Sequence, residues 1–188
     1  MKRIEITQGI TRVVLKLEEA RGFMPIAFSD CRGEYLRQEG FAVAPRPVYR
    51  LEDDGMGGRV KKTANGEVVT FDEGERVLTR RSHSAALRFA CGEGELLTGL
   101  GQHEDGIFDY SHEVERLYQH NMKISIPFLL SSAGWGLLIE AGCAMRFRGE
   151  GGAFTFELDA VGDFSYVVLR GGDCAEVLNC HYGKILPK

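Results

Sequence analysis

The segment at 96–110, LLTGLGQHEDGIFDY, holds residues whose types could do chemistry together. His103, Glu104 and Asp105 follow one another there, and imidazole and carboxyl groups commonly transfer protons or bind metals. On a β-strand, His103 and Glu104 would point to opposite faces, because successive side chains alternate. The segment therefore predicts a shared acid/base site only if these residues lie in a loop.

Two other kinds of site match this segment less well. Its glycines give the spacing G-x-G-x-x-x-x-G, which differs from the dinucleotide-binding G-x-G-x-x-G, and no Lys-Ser/Thr pair follows. A metal site would need further ligands, and His112 and His120 stand at no recognised spacing from this cluster. We therefore expect neither a phosphate cradle nor a metal site. The apolar residues before the cluster favour a strand that ends at Gly101, where a loop begins.

The elements that must position this loop are β-strands. Most of the chain alternates apolar and polar residues with a period of two, and short runs such as IPFLLSS, GWGLLIE and GAFTFELDA are separated by turn residues. Phe154, Phe156 and Leu158 fall on one face of such a strand, which predicts core packing. Many short strands of this kind favour an antiparallel β-sandwich, which we expect residues 1–172 to form.

Two segments depart from this pattern. Residues 30–58 contain Pro45, Pro47 and several acidic side chains, which predicts a long excursion between strands. Residues 173–188 begin with Asp173 three positions before Glu176, an arrangement typical of a helix N-terminus. We expect one short C-terminal helix there, acting as a linker.

Composition excludes several classes of protein. A chain of 188 residues with a formal net charge of −4 and scattered Lys and Arg has no concentrated basic face for nucleic acid or for a membrane surface. The five cysteines include no C-x-x-C, and the N-terminus lacks an apolar leader or a membrane-length run. The expected location is the cytoplasm.

The stretch LLTGLGQHEDGIFDYSHEVERLYQHNMKISIPFLLSSAGWGLLIE resembles the N-terminal β-sandwich region of family 31 glycoside hydrolases, the α-glucosidase and α-xylosidase group. The matching features are Gly99-Leu100-Gly101, the segment at 121–132 and Gly134-Trp135-Gly136. Gln102 after the glycines is most similar to the bacterial branch. The resemblance implies a galactose-mutarotase-like supersandwich, and it is specific over about 95–140 and looser elsewhere.

In this family the chemistry belongs to a (β/α)₈ barrel that follows the sandwich. Retaining hydrolysis needs two carboxyl groups about 5–5.5 Å apart, and the family's nucleophile is an Asp within Trp-x-Asp-Met-x-Glu. Here Trp135, the single Trp, is followed by Gly136-Leu137-Leu138, so the motif is absent. The chain also lacks the strand-helix alternation of a barrel. We therefore expect it to be non-catalytic alone, with a parent protein that is an O-glycosyl hydrolase without a metal or organic cofactor.

The resemblance also implies a role for the loop. In the family it lies near the rim of the barrel's substrate pocket, so the partners would be the barrel of the same parent chain and an α-linked oligosaccharide. The residues expected at the rim are Gln102, His103, Glu104, Asp105, Phe108 and Asp109.

Two rival functions remain open on the same fold. An aldose epimerase-like enzyme would place a His opposite a carboxylate across about 5–7 Å, enough for a sugar ring between two hydrogen-bonding groups. A carbohydrate-binding module would expose two or three coplanar aromatics on one sheet face. Trp135 is a poor candidate for such a platform, because its glycine neighbours predict close packing in a strand.

Two physical properties follow for the chain on its own. The polar segment 102–116 is expected to be mobile, because the barrel that would hold it is missing. An apolar patch is expected where the barrel would pack, and the isolated chain can form a homodimer through it. The residues expected in this patch are Ile107, Phe108, Tyr110, Ile185 and Leu186.

Overall fold

The computed structural model describes residues 3–7, 9–45, 49–52, 59–62, 69–73, 76–80, 83–119 and 122–182, and most of its regular structure is β-strand. The strands are named here in chain order. The first group is β1 (Arg3–Thr7), β2 (Ile10–Leu15), β3 (Ile26–Asp30), β4 (Gly33–Pro45), β5 (Tyr49–Glu52), β6 (Arg59–Lys62), β7 (Val69–Glu73) and β8 (Arg76–Arg80). The second group is β9 (His83–Cys91), β10 (Leu97–Gln102), β11 (Val114–Leu117), β12 (Ile124–Ser131), β13 (Trp135–Glu140), β14 (Met145–Gly149), β15 (Ala153–Val161) and β16 (Phe164–Arg170).

Two six-stranded antiparallel sheets form a β-sandwich, which confirms the predicted fold class. The first sheet has the order β1-β2-β16-β13-β12-β10, and the second has the order β11-β14-β15-β9-β4-β3. Strands β5 and β6 form one separate two-stranded sheet, and β7 and β8 form another. Strands β10 and β11 therefore lie at the edges of the two large sheets.

The core lies between the two large sheets. Phe154, Phe156 and Leu158 on β15 are 0%, 0% and 1% exposed, so the predicted inward face of this strand is confirmed. Trp135 is also fully buried and stacks on Phe154, with 5.9 Å between the ring centroids. Its burial confirms that Trp135 is a packed strand residue and not a platform for a sugar.

The expected helix near the C-terminus is present and covers part of the first sheet. It consists of α1 (Cys174–Glu176) and a π-helical turn, Val177–Tyr182. Its N-terminus is capped as predicted, because the backbone N–H of Glu176 donates to Oδ1 of Asp173 over 2.8 Å. Val177 belongs to a second buried apolar cluster, with Phe128, Leu130, Val167 and Leu169. The assignment of 173–188 as a linker stays a prediction, and 183–188 lie outside the described residues.

The prediction of an excursion over 30–58 is wrong for much of that segment. Residues Gly33–Pro45 form β4, which pairs with both β3 and β9. A β-bulge between Gln38 and Gly40 shifts its register, so the buried positions change from Leu36 and Gln38 to Phe41. Residues 46–48 and 53–58 lie outside the described part.

Helices make a minor contribution to the fold. A 3₁₀ helix, Leu17–Gly22, follows β2 and has no buried residue of its own. In the part of the chain that the structure describes, no helix combines the length and the apolar character needed to span a membrane.

Candidate functional site

The loop that the sequence singled out begins at an unusual strand end. Gly99, Leu100 and Gly101 in β10 have φ angles of 113°, 62° and 109°. Positive φ is costly for residues with a Cβ, and Leu100 adopts it with a fully buried side chain. The register of β10 against β12 shifts at this point. The backbone here is therefore held in place by packing.

The two glycines are also needed for space. A Cβ on Gly101 would lie 2.0 Å from the carbonyl oxygen of Ile124, and a Cβ on Gly99 would lie 2.5 Å from that of Phe128. Both oxygens belong to the backbone of β12, which cannot move aside without breaking its pairing. The G-x-G spacing therefore serves a β-bulge and close strand contact.

The loop after β10 is tied back to the sheet by Asp109. Its Oδ1 accepts hydrogen bonds from the backbone N–H groups of Leu97 and Ser111, at 3.1 and 3.0 Å. Its Oδ2 accepts one from the Ser111 hydroxyl at 2.9 Å. Burial raises the pKa of Asp109, but the hydrogen bonds from Ser111 and Leu97 outweigh it, so the pKa is lowered. Asp109 therefore anchors the loop as a carboxylate.

The six residues expected at the rim divide into two groups. His103 and Asp109 point toward the protein and are largely shielded from solvent, whereas the other four are exposed. Phe108 is 70% exposed, which is unusual for a large aromatic side chain. The exposed members are Gln102, Glu104, Asp105 and Phe108. His103 and Glu104 therefore do not converge on one substrate position.

His103 is held in the interior by a backbone contact. Its side chain is 3% exposed, and its Nε2 lies 2.9 Å from the carbonyl oxygen of Leu100. The imidazole also meets the ring of Tyr110 edge to face, with 6.2 Å between centroids. Burial raises the pKa of Tyr110 to about 12, and the charges of Asp105 and Glu115 add to the effect. Tyr110 is therefore a neutral phenol at physiological pH.

Glu115 and Lys123 complete this buried polar group, and the sequence did not single them out. Glu115 lies on edge strand β11 with a side chain that is 8% exposed, and Lys123 just before β12 forms an ion pair with it. Nδ1 of His103 lies 3.9 Å from Oε1 of Glu115. The group sits where the open edges of the two sheets meet. One feature of the sequence could have indicated the burial of Glu115. It stands two residues before the apolar Leu117, and alternate residues of a strand share a face.

This geometry bears on both rival functions. The His103 and Glu115 side chains are buried and 3.9 Å apart, so no sugar ring fits between them as an epimerase would require. Phe108 and Tyr118 are the exposed large aromatics among the residues whose side-chain burial the structure describes, one in the loop and one beyond β11. They do not form the row on one sheet face that is expected of a carbohydrate-binding module.

The expected apolar patch is only partly correct. Phe108 is exposed, but Tyr110 is 2% exposed and Ile107 packs against the core. Ile185 and Leu186 lie outside the described residues. The mobility expected of 102–116 stays a prediction, although Tyr110, Ser111 and Glu115 in its second half are buried. Exposed apolar side chains lie instead on and before β12, at Tyr118, Met122, Ile124 and Ile126.

The fold and these residues define a β-sandwich domain with a tightly anchored edge loop. No family model matches the chain. It is 33% identical to an α-xylosidase of Saccharolobus solfataricus over 97 residues, which is 40% of this chain and 13% of that protein. It is 30% identical to an uncharacterized family 31 glucosidase of Pseudescherichia vulneris over 116 residues, covering 60% of this chain and 20% of that protein.

A solved structure shares the fold over nearly the whole chain. The family 31 α-xylosidase from a soil metagenome matches with a TM-score of 0.55 and 18% identity, covering 94% of this chain and 25% of that one. The chain is therefore homologous to a domain-sized part of family 31 α-xylosidases and glucosidases, as its resemblance predicted. These relatives are much longer chains, of which this one spans a quarter or less.

Proposed function

We propose that this chain is the non-catalytic N-terminal β-sandwich domain of a retaining α-glycosidase, an α-glucosidase or an α-xylosidase. The observation that carries the proposal is the mismatch in length, since 94% of this fold corresponds to only 25% of the α-xylosidase from the soil metagenome. The remainder of such a protein is where a catalytic barrel would reside.

The role of the domain would be to pack against that barrel. Met122, Ile124 and Ile126 offer an exposed apolar surface on and before β12, the strand next to edge strand β10, with exposed fractions of 74%, 49% and 39%. A group of exposed apolar side chains is costly to leave in water and is commonly covered by a partner. Ile124 pairs with Gln102, so this surface adjoins the start of the loop.

The loop would contribute to the rim of the substrate pocket. Gln102, Glu104, Asp105 and Phe108 are the exposed side chains among the six residues expected at the rim, and they suit hydrogen bonding and stacking on an α-linked glucose or xylose unit. His103 and Asp109 would act indirectly, because their contacts fix the loop backbone. We keep the cytoplasm as the proposed location; the thiols of Cys31, Cys91, Cys143 and Cys174 are free, which is compatible with a reducing compartment.

A hydrolysis assay tests the non-catalytic part of this proposal. The purified 188-residue chain is expected to release no product from aryl α-xylosides or aryl α-glucosides above the buffer blank. A family 31 α-xylosidase assayed alongside would show that the substrates are competent. Turnover that persists through purification and is abolished by Glu104→Gln or Asp105→Asn would overturn the proposal.

A further inference from the structure

The imidazole of His103 is oriented with one nitrogen satisfied and the other without a hydrogen-bond partner. The carbonyl oxygen of Leu100 can only accept, so Nε2 of His103 carries the hydrogen that bridges their 2.9 Å separation. Nδ1 is buried and has no hydrogen-bond partner. In the neutral ring Nδ1 is therefore a lone pair turned toward other groups of the interior. Leaving such a group unmatched is costly.

Two carboxylates lie near this imidazole, and Oε1 of Glu115 is 3.9 Å from Nδ1. Ligand atoms from His103, Asp105 and Glu115 all lie within 4.8 Å of one another. Asp105 lies in the exposed loop, whereas Glu115 is a buried residue of edge strand β11. The cluster therefore brings together side chains from separate parts of the fold. An imidazole nitrogen without a hydrogen-bond partner, close to two carboxylates, is an arrangement that attracts a cation.

We propose that His103, Asp105 and Glu115 bind a divalent transition-metal ion, with Zn²⁺ the best match. Imidazole nitrogen and carboxylate oxygen are both ligand types that Zn²⁺ accepts in proteins. A histidine that ligates a metal usually donates its other ring N–H to a carbonyl or carboxylate, as His103 does to Leu100. Zinc lies about 2.0–2.2 Å from nitrogen and oxygen ligands, so the three groups must draw closer, and the exposed loop carrying Asp105 can do so.

Lys123 is the competitor for this site. It pairs with Glu115, and its own side chain is 15% exposed, so its ammonium group has a route to solvent. Without an ion, Lys123 neutralises a buried carboxylate that would otherwise be costly. With an ion, the metal takes over this role and the lysine turns outward. Metal binding and the Lys123 ion pair are therefore mutually opposed.

Binding of the metal ion would link the loop to the second sheet. Asp105 stands in the exposed part of the loop, and its Oδ1 accepts the backbone N–H of Ile107 over 3.1 Å. An ion bridging Asp105 to Glu115 would fix that part on edge strand β11. This site does not depend on whether the chain packs on a barrel, and it differs from the expectation of no metal drawn from the sequence.

Calorimetric titration with ZnCl₂ tests the proposal on the full 188-residue chain, with the exposed thiol Cys31 changed to Ser throughout. We expect one ion per chain and at least a tenfold loss of affinity in His103→Gln and in Asp105→Asn. The amide in Asp105→Asn keeps the hydrogen bond to Ile107, so this variant spares the loop conformation. His112→Gln, which changes an exposed histidine outside the cluster, is expected to bind as the parent does.

The zinc affinity of the Lys123→Met variant distinguishes a metal site from an ion pair that only stabilises the fold. Removing the competitor is expected to tighten zinc binding severalfold. In ¹⁵N spectra of the histidine side chains, zinc is expected to shift the Nδ1 signal of His103 and to leave His112 unchanged. Absence of binding, equal affinity in Asp105→Asn and the parent, or weaker binding in Lys123→Met would each overturn the proposal. If His103→Gln fails to fold, Asp105→Asn and the spectra decide.

Discussion

The phenol of Tyr166 donates a hydrogen bond of 2.6 Å to Oε1 of Gln38 across the interior of the sandwich. Both residues are 0% exposed, and they belong to different sheets, Tyr166 to β16 and Gln38 to β4. Burial raises the pKa of Tyr166 far above its usual range, so the hydroxyl remains a donor. Gln38 lies beside the β-bulge of β4, and this bond fixes the bulge against the facing sheet.

Tyr166→Phe is therefore expected to destabilise the fold. The change preserves the ring packing but leaves the buried amide oxygen of Gln38 without its partner, which costs about 1–3 kcal/mol. Urea unfolding followed by fluorescence measures the difference. Tyr35→Phe is the matched control, because Tyr35 is only half-buried and uses its ring to contact Arg170 at 4.4 Å. An equal loss in both variants would contradict this account.

A second link between the sheets depends on pH. Nε of Arg170 donates to Oδ2 of Asp30 over 2.7 Å, and Arg32 also donates to Asp30. These hydrogen bonds, led by that from Arg170, hold the pKa of Asp30 well below its ordinary value of 3.8. Because the folded-state pKa is depressed, the stabilisation is complete above pH 3.8 and is lost progressively at lower pH.

Asp30→Asn tests this pH dependence. The variant is expected to be less stable than the parent at pH 7, and the gap is expected to narrow as the pH falls below 4, because Asp30 of the unfolded parent then takes up a proton while the folded parent still resists protonation. Thermal unfolding at a series of pH values gives the comparison. A gap that stays constant down to pH 2 would show that Asp30 does not contribute through its charge.

Gly101→Ala is expected to be strongly destabilising. A methyl group there combines a φ of 109° with a distance of 2.0 Å to the carbonyl oxygen of Ile124, so strand β12 must shift. The cost is expected to exceed the roughly 1–3 kcal/mol typical of backbone strain alone. Gly106→Ala is the control, since Gly106 has a φ of 71° but nothing within 4 Å of its added Cβ. Denaturant unfolding measures the loss of unfolding free energy in both variants. The difference between the two losses separates the steric contribution at Gly101 from the cost of positive φ alone.

The apolar surface at β12 is expected to mediate self-association of the isolated chain. Sedimentation velocity at increasing concentration is expected to show a monomer-dimer equilibrium, which Ile124→Asp together with Ile126→Asp shifts to monomer. Ile6→Asp is the control, because Ile6 is 79% exposed on β1 at the far edge of the same sheet. A parent chain that is monomeric at all concentrations would contradict the prediction.

The sequence was sufficient for features that depend on local periodicity. The alternation of Phe154, Phe156 and Leu158 and the cap formed by Asp173 and Glu176 both appear in the structure. Strand β4 was missed because the bulge at 38–40 interrupts its period of two, and its exposed charged side chains read as a loop. A one-residue bulge moves all the following side chains to the opposite face, so a search for unbroken alternation does not find the strand.

The buried polar group at the sheet edges was not predicted as a group, for a different reason. His103 follows β10, Glu115 lies in β11 and Lys123 precedes β12. Only the arrangement of these strands in two facing sheets brings the three side chains together. In β11 the apolar residue Val114 is 49% exposed whereas Glu115 is buried, so burial in this strand does not follow hydrophobicity.

The central proposal is that this domain packs on a catalytic barrel, and reading the coding sequence beyond Lys188 tests it most directly. Whatever segment is encoded there would be co-expressed with this chain as a second polypeptide. The account predicts a strand-helix alternation with a Trp-x-Asp-Met motif, and a barrel that copurifies with this chain unless Ile124 and Ile126 are both changed to Asp. A coding sequence that ends without a barrel, or a barrel that purifies without this chain, would contradict it.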